Sequence, residues 1–199
     1  AIDAYVDSSY SVAIPNFEKY LSRFPNGKYA LEGQIFLANC YYAIDNMEKA
    51  IATYIAALDR PNNNYTEFAA SRVAQHLYNN GEYDKALVYY DRLEKVGSKP
   101  SVLFNAKLGL MRCHFLVENW TSAAIYAKEV LESSQLNNTL RLEANYALGM
   151  SSYAIESYND AKKALEWITK NTTTVMAAEA KFTIAEMYFK LQDYTNSDA

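Results

Sequence analysis

Four side chains of the types that bind metals or act as nucleophiles are the first candidates for chemistry in this sequence. They are its only cysteines and histidines: Cys40, His76, Cys113 and His114. A zinc site brings about four such ligands to within about 2.0–2.3 Å of one ion. Whether these four can converge depends on the elements that carry them, so the organisation of the chain decides between a metal site and a structural role.

The rest of the sequence carries no catalytic signature. It contains no GxSxG, no HExxH, no phosphate-binding glycine-rich loop and no calcium-loop spacing. Its carboxylates are numerous but scattered, as on the solvated faces of helices. We therefore predict no catalytic residue, no cofactor and no metal site in this segment. An enzyme would need further parts of a longer chain.

Composition narrows the class of protein and of partner. Hydrophobic residues make up 50% of the 199 residues, and only six residues are glycine and four are proline, which predicts much helix and few turns. The net charge of −4 provides no basic field, so nucleic acid is not expected as a partner. No run approaches the roughly 18 apolar residues of a membrane span, so this segment is not expected to insert into a membrane.

A small residue three positions after a large hydrophobic one recurs along the whole chain. The small residues follow one another at intervals of 36 to 38 positions, and a fixed period of this size indicates a repeat protein. The small residues are Ala13, Ala50, Ala86, Ala123, Ala161 and Ser197. The residues three positions before them are Tyr10, Met47, Tyr83, Trp120, Tyr158 and Tyr194.

Three further positions repeat with the same period. They are counted back from the last five small residues, Ala50 to Ser197. Seventeen residues before stand Gly33, Ala69, Ala106, Ala144 and Ala180; thirteen before stand Leu37, Val73, Leu110, Leu148 and Ile184; eight before stand Tyr42, Tyr78, Phe115, Tyr153 and Phe189. These spacings fit one face of a helix and not a strand. Each repeat is therefore predicted to be two antiparallel helices, whose close approach at about 8–10 Å requires the small residues.

The helix boundaries can also be predicted. The residue before each repeated aromatic or methionine is Ser9, Asn46, Glu82, Asn119, Ser157 or Asp193, and five of these six are good N-caps. Gly81 suits the tight turn between two helices. Pro15 lies where the second helix of the first repeat should run, so this helix is expected to start late or to be kinked.

The repeat determines how far apart the cysteines and histidines lie. Cys40, His76 and Cys113 all stand ten residues before a repeated alanine, and therefore occupy one position in successive repeats. Neighbouring repeats lie about 10 Å apart, too far for a disulfide, which needs Cα atoms within about 7 Å. The same distance prevents convergence on a zinc ion. We predict buried cysteines and core or groove histidines.

The repeat resembles the tetratricopeptide (TPR) family. The segments ALEGQIFLANCYYAIDNMEKAIATYIAAL, from Ala30 to Leu58, and YNNGEYDKALVYYDRL, from Tyr78, are similar to the TPR pattern, and the resemblance covers essentially the whole chain. It implies an all-α fold, a right-handed α-α superhelix of antiparallel helix pairs. The repeats here are longer than the common TPR form of about 34 residues.

Part of the sequence also resembles a narrower group. YLSRFPNGKYALEG, from Tyr20 to Gly33, is similar to TPR proteins of the bacterial envelope, such as the Tol-Pal-associated and outer-membrane-assembly lipoproteins. This likeness favours a periplasmic or outer-membrane-associated location over a cytoplasmic one.

The chain is interpreted as a single TPR array. Its predicted units are a partial unit 1–28, then 29–64, 65–100, 101–137 and 138–174, and a partial unit 175–199. The start AIDAYVDSSY has neither an initiator methionine nor the pattern of a signal peptide, so a processed chain or a fragment of a longer array is expected. Its incomplete end units are expected to allow self-association.

The family resemblance places a peptide-binding groove on the first helices of the repeats. The residues that it assigns to this groove are Ile35, Asn39, Tyr42, Phe68, Ser71, Gln75, Tyr78, Asn79, Asn105, Leu108, Arg112, Phe115, Glu143, Tyr146, Met150, Tyr153, Glu179, Phe182 and Glu186. This set lacks the repeated Lys, Asn and Arg that would hold a terminal carboxylate. An extended or helical segment held by tyrosines and amides fits better. Alternatively, the tyrosines simply pack between repeats.

Three functions follow from this interpretation. The first is a protein–protein interaction scaffold that binds a partner peptide or protein segment in the concave groove and is not an enzyme. The second is a structural spacer within a larger cell-envelope protein. The third is a regulatory TPR module fused to an enzyme or a signalling domain.

Overall fold

The computed structural model describes residues 1–191 of the chain, and this part contains eleven α-helices and no strand. The repeat residues Tyr194 and Ser197 and the predicted cap Asp193 lie outside the described residues. The helices are α1 (Ile2–Val6), α2 (Tyr10–Arg23), α3 (Ala30–Ala43), α4 (Met47–Leu58), α5 (Thr66–Asn79), α6 (Tyr83–Val96), α7 (Pro100–Leu116), α8 (Trp120–Leu131), α9 (Asn138–Ala154), α10 (Tyr158–Asn171) and α11 (Val175–Lys190).

The helices form two compact units, one within residues 1–97 and the other within the described residues from 98 onwards. In the first unit, each helix from α1 to α6 packs on the next one along the chain. In the second unit, α7 to α11 do the same, and α9 also contacts both α7 and α11. The all-helical arrangement of consecutive helix pairs predicted from the repeat is confirmed. That the whole chain is one continuous array stays a prediction.

The small residues of the repeat form the contacts between paired helices. Ala13, Ala50, Ala86, Ala123 and Ala161 are all fully buried, and so are the small residues seventeen positions before them in the described repeats. A larger side chain at these positions would separate the helix axes, because interiors have little free volume. The core of each unit is therefore set by the residues that repeat.

The second helix of each pair begins at the predicted residue. Helices α2, α4, α6, α8 and α10 start at the repeated aromatic or methionine, and the residue before it is the N-cap. Among these five second helices, two have a side-chain cap. Asn46 Oδ1 accepts from the Lys49 amide and Asn119 Oδ1 accepts from the Ser122 amide, both at 3.3 Å. Ser157 is directed to the Asp160 carboxylate at 3.3 Å.

The turn inside each pair depends on one residue in the left-handed backbone region. Gly81 has φ +77°, as the tight turn requires, and Ser8, Asp45, Glu118 and Glu156 occupy the equivalent place with φ between 57° and 62°. Residues with a Cβ rarely adopt this conformation. The turn geometry is thus kept through the repeats at the cost of local backbone strain.

Pro15 lies inside α2 and does not delay its start. The helix begins at Tyr10 and continues to Arg23, so the expectation of a late start is wrong. Proline removes one backbone hydrogen bond from the helix. The Asn16 side-chain amide donates to the Val12 carbonyl at 2.9 Å beside it, and Pro15 itself is exposed. The ring therefore projects from the face of the helix away from the core.

Candidate partner-binding site

In the first unit, the predicted groove residues of α3 and α5 gather around one arginine. The Arg72 guanidinium lies over the rings of Tyr42 and Phe68, at 4.6 and 5.3 Å from their centroids. Both rings are 39% exposed. Such cation–π contacts are favourable at a surface by about 0.5–1 kcal/mol, so Arg72 holds the two aromatic side chains at a shared, solvent-accessible place.

Polar groove positions border this cluster. Ser71, Gln75 and Asn79 are exposed on α5, and the Gln75 amide donates to Asn79 Oδ1 at 2.9 Å. Tyr78 is half-buried and its ring lies 5.6 Å from that of Tyr83. These side chains are available to a partner, with Tyr78 held in part by packing.

Two residues of this unit that were assigned to the groove, Ile35 and Asn39, take part in packing between helices. Ile35 is only 2% exposed, so its assignment to the groove is wrong: its place on α3 faces the core. Asn39 is half-buried and bridges two tyrosines, since its amide donates to the Tyr5 hydroxyl at 3.1 Å and its Oδ1 accepts from the Tyr54 hydroxyl at 2.5 Å. Asn39 therefore ties α1, α3 and α4 together.

In the second unit, the surface formed by α7 and α9 is occupied by an ion pair. Arg112 Nε and Nη2 donate to the two carboxylate oxygens of Glu143 at 2.5 and 2.7 Å. Phe115 packs next to the pair, with its ring 6.0 Å from that of Tyr146. Leu108 is buried in the core of this unit, so its assignment to the groove is wrong, whereas Asn105 is exposed.

Helices α9 and α11 enclose a groove of about 470 Å³. Six predicted site residues line it, three from each helix: Tyr146, Met150, Tyr153, Glu179, Phe182 and Glu186. The structure therefore brings these six side chains together at one place. Ala178 and Thr183 also line the groove, and sequence reasoning missed them because neither position is marked by a repeated residue type.

Hydrogen bonds join the two walls of this groove. The Tyr146 hydroxyl donates to Glu179 Oε2 at 2.8 Å, and the Tyr153 hydroxyl donates to Glu186 Oε2 at 3.3 Å. Burial, together with the bond to Glu179 and its negative charge, raises the pKa of Tyr146 to about 12. Tyr146 therefore keeps its proton at neutral pH, and each of the two tyrosine hydroxyls orients one carboxylate.

The floor and one end of the groove are also fixed by contacts. Thr183 Oγ1 lies 3.7 Å from the Met150 sulfur and donates to the Glu179 carbonyl at 2.9 Å. At the end, the Lys190 ammonium stands 4.6 Å from the centroid of the Tyr153 ring. Phe182 is 66% exposed, and it is the most accessible aromatic side chain of the groove.

The cysteines and histidines that suggest a metal site take structural positions. Cys40 and Cys113 are free and fully buried, and burial raises the pKa of the Cys40 thiol. His114 stacks on Tyr126 at 5.7 Å and burial lowers its pKa, while His76 Nε2 lies 2.9 Å from the Asn80 amide nitrogen. Among residues 1–191, no three His, Cys, Asp or Glu side chains gather as a metal site would require.

Two further cavities lie in the first unit. One of about 650 Å³ is bordered by α1, α2 and α3, and its lining includes the aromatic rings of Phe17, Tyr20 and Phe36. The other, of about 450 Å³, lies along α4 and α6, with Val88 and Tyr89 on its wall. Neither was predicted, because cavities between helices depend on side-chain packing that the repeat pattern does not specify.

Comparisons with known proteins support the fold. No protein-family model and no curated protein matches the chain. Among solved structures, the chain is similar to a tetratricopeptide repeat protein from Parabacteroides merdae, with a TM-score of 0.56 and 15% sequence identity. The match covers 98% of this chain and 72% of that one. The fold is that of a TPR-like helical solenoid.

In the described part of the chain, no helix is long and apolar enough to span a membrane.

Proposed function

We propose that this chain is a protein–protein interaction scaffold that binds a segment of a partner protein and performs no chemistry of its own. The observation that carries the proposal is the groove between α9 and α11, because six residues assigned to partner binding from sequence line it together. Half-exposed aromatic rings beside carboxylates offer contact area and hydrogen-bond acceptors at low entropic cost. A peptide or helix needs such a surface.

The dimensions of the groove fit a peptide better than a small molecule. Its residues from Tyr146 to Tyr153 and from Glu179 to Glu186 each span two helical turns, or about 10.5 Å. The groove is shallow, and Phe182 projects from it into solvent. A small-molecule site usually buries most of its ligand, whereas an extended or helical segment needs one continuous face.

The proposal is tested by co-purification from the native cell with the full chain as bait. Phe182→Ala should abolish partner capture and leave the melting curve unchanged, because this side chain is exposed. The double variant with Tyr146→Ala should also lose capture but melt at a lower temperature, because Tyr146 packs against Phe115. Ile125→Ala, at an exposed side chain on α8 (52%, against 66% for Phe182), is the control. Capture that survives Phe182→Ala and the double variant would contradict the proposal.

A location in the cell envelope is a separate proposal. It is supported only by the likeness of the segment between Tyr20 and Gly33 to envelope TPR proteins. Fractionation of native cells, with the full-length gene product detected by antibody, tests it. Recovery with the periplasm or outer membrane is the expected result, and recovery only with the cytosol would contradict it.

A further inference from the structure

The chain binds its own cations on aromatic rings and carboxylates. Arg72 lies over Tyr42 and Phe68 in the first unit. In the second unit Arg112 is held by both oxygens of Glu143. These side chains occupy the first helices of the repeats, the surface where a partner is proposed to bind. The surface chemistry of this fold thus suits basic groups, and the chain itself supplies them at Arg72, at Arg112 and, at the end of the groove between α9 and α11, at Lys190.

In the groove between α9 and α11 the equivalent basic side chain is missing. Arg112 stands eleven residues before Ala123, and the residue eleven before Ala161 is Met150. Glu143 stands eighteen residues before Ala161, and Glu179 stands eighteen before the next repeated position. The glutamate of the ion pair therefore recurs without its arginine. A methionine that contacts Thr183 takes the place of the arginine.

The groove carries two carboxylates that differ in their neighbours. The Lys190 ammonium at the end of the groove interacts with the charge of Glu186, whereas Glu179 is bonded to the Tyr146 hydroxyl and pairs with no cation among the described residues. Its eight lining residues include Glu179 and Glu186 and no lysine or arginine. Each of the two carboxylates accepts one hydrogen bond from a neutral tyrosine, and an ionised carboxylate has about four acceptor sites. Both retain acceptor capacity for a charged donor, and charge-assisted bonds are the stronger kind.

Aromatic rings line the groove beside its carboxylates, where they could contact a basic side chain. On α11, Phe182 is three residues after Glu179 and four before Glu186, so all three share one face of the helix. On the opposite wall, Tyr153 already has the ammonium of Lys190 over its ring. A ring beside a carboxylate favours a guanidinium or ammonium by cation–π and ionic attraction together.

We propose that the groove between α9 and α11 binds an arginine or lysine side chain of a partner protein segment. Glu179 forms an ion pair with this cation, as Glu143 does with Arg112. Phe182 and the two tyrosines form the aromatic walls. This inference rests on the proposed function, and it adds the chemistry of the partner: a basic segment.

The experiment selects peptides from a random dodecapeptide display library on the immobilised full chain. The expected result is enrichment of arginine and lysine among bound peptides. Selected peptides should lose about tenfold in affinity when Glu179→Gln and Glu186→Gln are combined. Glu118→Gln combined with Glu132→Gln, which removes two exposed carboxylates outside the groove, should change the affinity by less than about twofold and controls for net charge.

Each outcome separates this inference from the proposed function. Peptides that lack basic residues, or that bind the variant with Glu179→Gln and Glu186→Gln equally well, yet are lost with Phe182→Ala, would overturn the inference and leave groove binding intact. Selected peptides that are indifferent to Phe182→Ala would contradict the groove itself. No enrichment of any peptide over the library would contradict both.

A second variant tests the same point without removing a carboxylate. Met150→Arg places an arginine at the position equivalent to Arg112, where it should pair with Glu179. Binding of the selected basic peptides should fall at least tenfold in a variant that still unfolds cooperatively. Unchanged peptide binding in a folded Met150→Arg protein would overturn the inference.

Discussion

At the scale of single residues, the turns inside the helix pairs show where sequence reasoning succeeds and where it stops. Gly81 marks its turn in the sequence because glycine is the usual residue at positive φ. The other four turns place Ser8, Asp45, Glu118 and Glu156 in the same conformation. Their residue types do not signal it, and only the repeat spacing could have transferred the assignment from Gly81.

The turn at Gly81 provides a test of backbone strain alone. A Cβ at this position would meet no atom within 4 Å, so Gly81→Ala changes only the backbone energy. We expect the free energy of unfolding to fall by about 1–2 kcal/mol. Glu118→Gly, at the equivalent turn, should not destabilise. Urea denaturation followed by circular dichroism measures both, and an equal loss in the two variants would contradict the assignment.

Three tyrosines link stability to alkaline pH. Burial, as the largest cause, raises the pKa values of Tyr41, Tyr54 and Tyr146 to about 12, whereas an unfolded tyrosine titrates near pH 10. Above about pH 10 the unfolded chain loses protons that the folded chain retains. Stability is therefore complete below about pH 10 and falls as the pH rises towards 12.

The pH dependence is tested with Tyr54→Phe. This variant lacks one of the raised groups, so its stability should fall less steeply between about pH 10 and 12 than that of the wild type, whatever its stability at neutral pH. Tyr29→Phe, at an exposed ring, is the control. Parallel slopes for Tyr54→Phe and the wild type, from urea denaturation at a series of pH values, would contradict the assignment.

At the scale of elements, the helix pairs follow from the period of the small and aromatic residues. The starts of the second helices were predictable to the residue, because the aromatic or methionine recurs at a fixed place and a good N-cap type precedes it in all repeats except at Glu82. The loops between repeats were not. Arg92 reaches back from α6 to donate to the Leu58 carbonyl at 2.6 Å, and Arg60 donates to the Pro25 carbonyl at 2.7 Å. Contacts between residues so far apart along the chain leave no local pattern in the sequence.

Packing between α9 and α10 provides a test at this scale. A Cβ on Gly149 would lie 2.5 and 2.7 Å from two side-chain atoms of Leu165, which is too close for ordinary contact. Gly149→Ala should therefore destabilise by about 1–3 kcal/mol through overpacking. At Gly33 in α3 the nearest atoms are 3.5–3.6 Å away, so Gly33→Ala should be tolerated.

The two alanine variants are compared by thermal and urea denaturation. Since alanine is the better helix former by about 0.8–1.0 kcal/mol, Gly33→Ala is expected to be neutral or stabilising. Equal stability of the Gly149→Ala protein and the wild type would show that α10 can move away at no cost, and would contradict the close packing described for this pair.

At the scale of the whole molecule, the sequence predicted the helical solenoid and most of one groove. Six residues assigned from the family resemblance meet between α9 and α11, because first helices of successive repeats are neighbours. Ile35 and Leu108 were wrongly assigned because the repeat gives their position on the helix only approximately, and a shift of about 100° per residue separates the groove face from the core.

The electrostatic surroundings of the groove carboxylates also could not be predicted from the sequence. Glu143 and Glu179 look alike in the repeat, and only the side-chain contacts show that one has a cation and the other has a tyrosine hydroxyl. The difference depends on whether arginine or methionine faces the glutamate. A single substitution between repeats can thus turn a closed ion pair into a site open to a partner.

Site-specific photo-cross-linking in the native cell tests the central claim most directly. A photo-reactive residue at Phe182 lies in the groove and is well exposed, whereas one at Ile125 on α8 lies outside it. We predict that one protein cross-links from position 182 and not from position 125, through a segment of its chain that contains arginine or lysine. No specific cross-link from position 182, or the same products from both positions, would contradict the account.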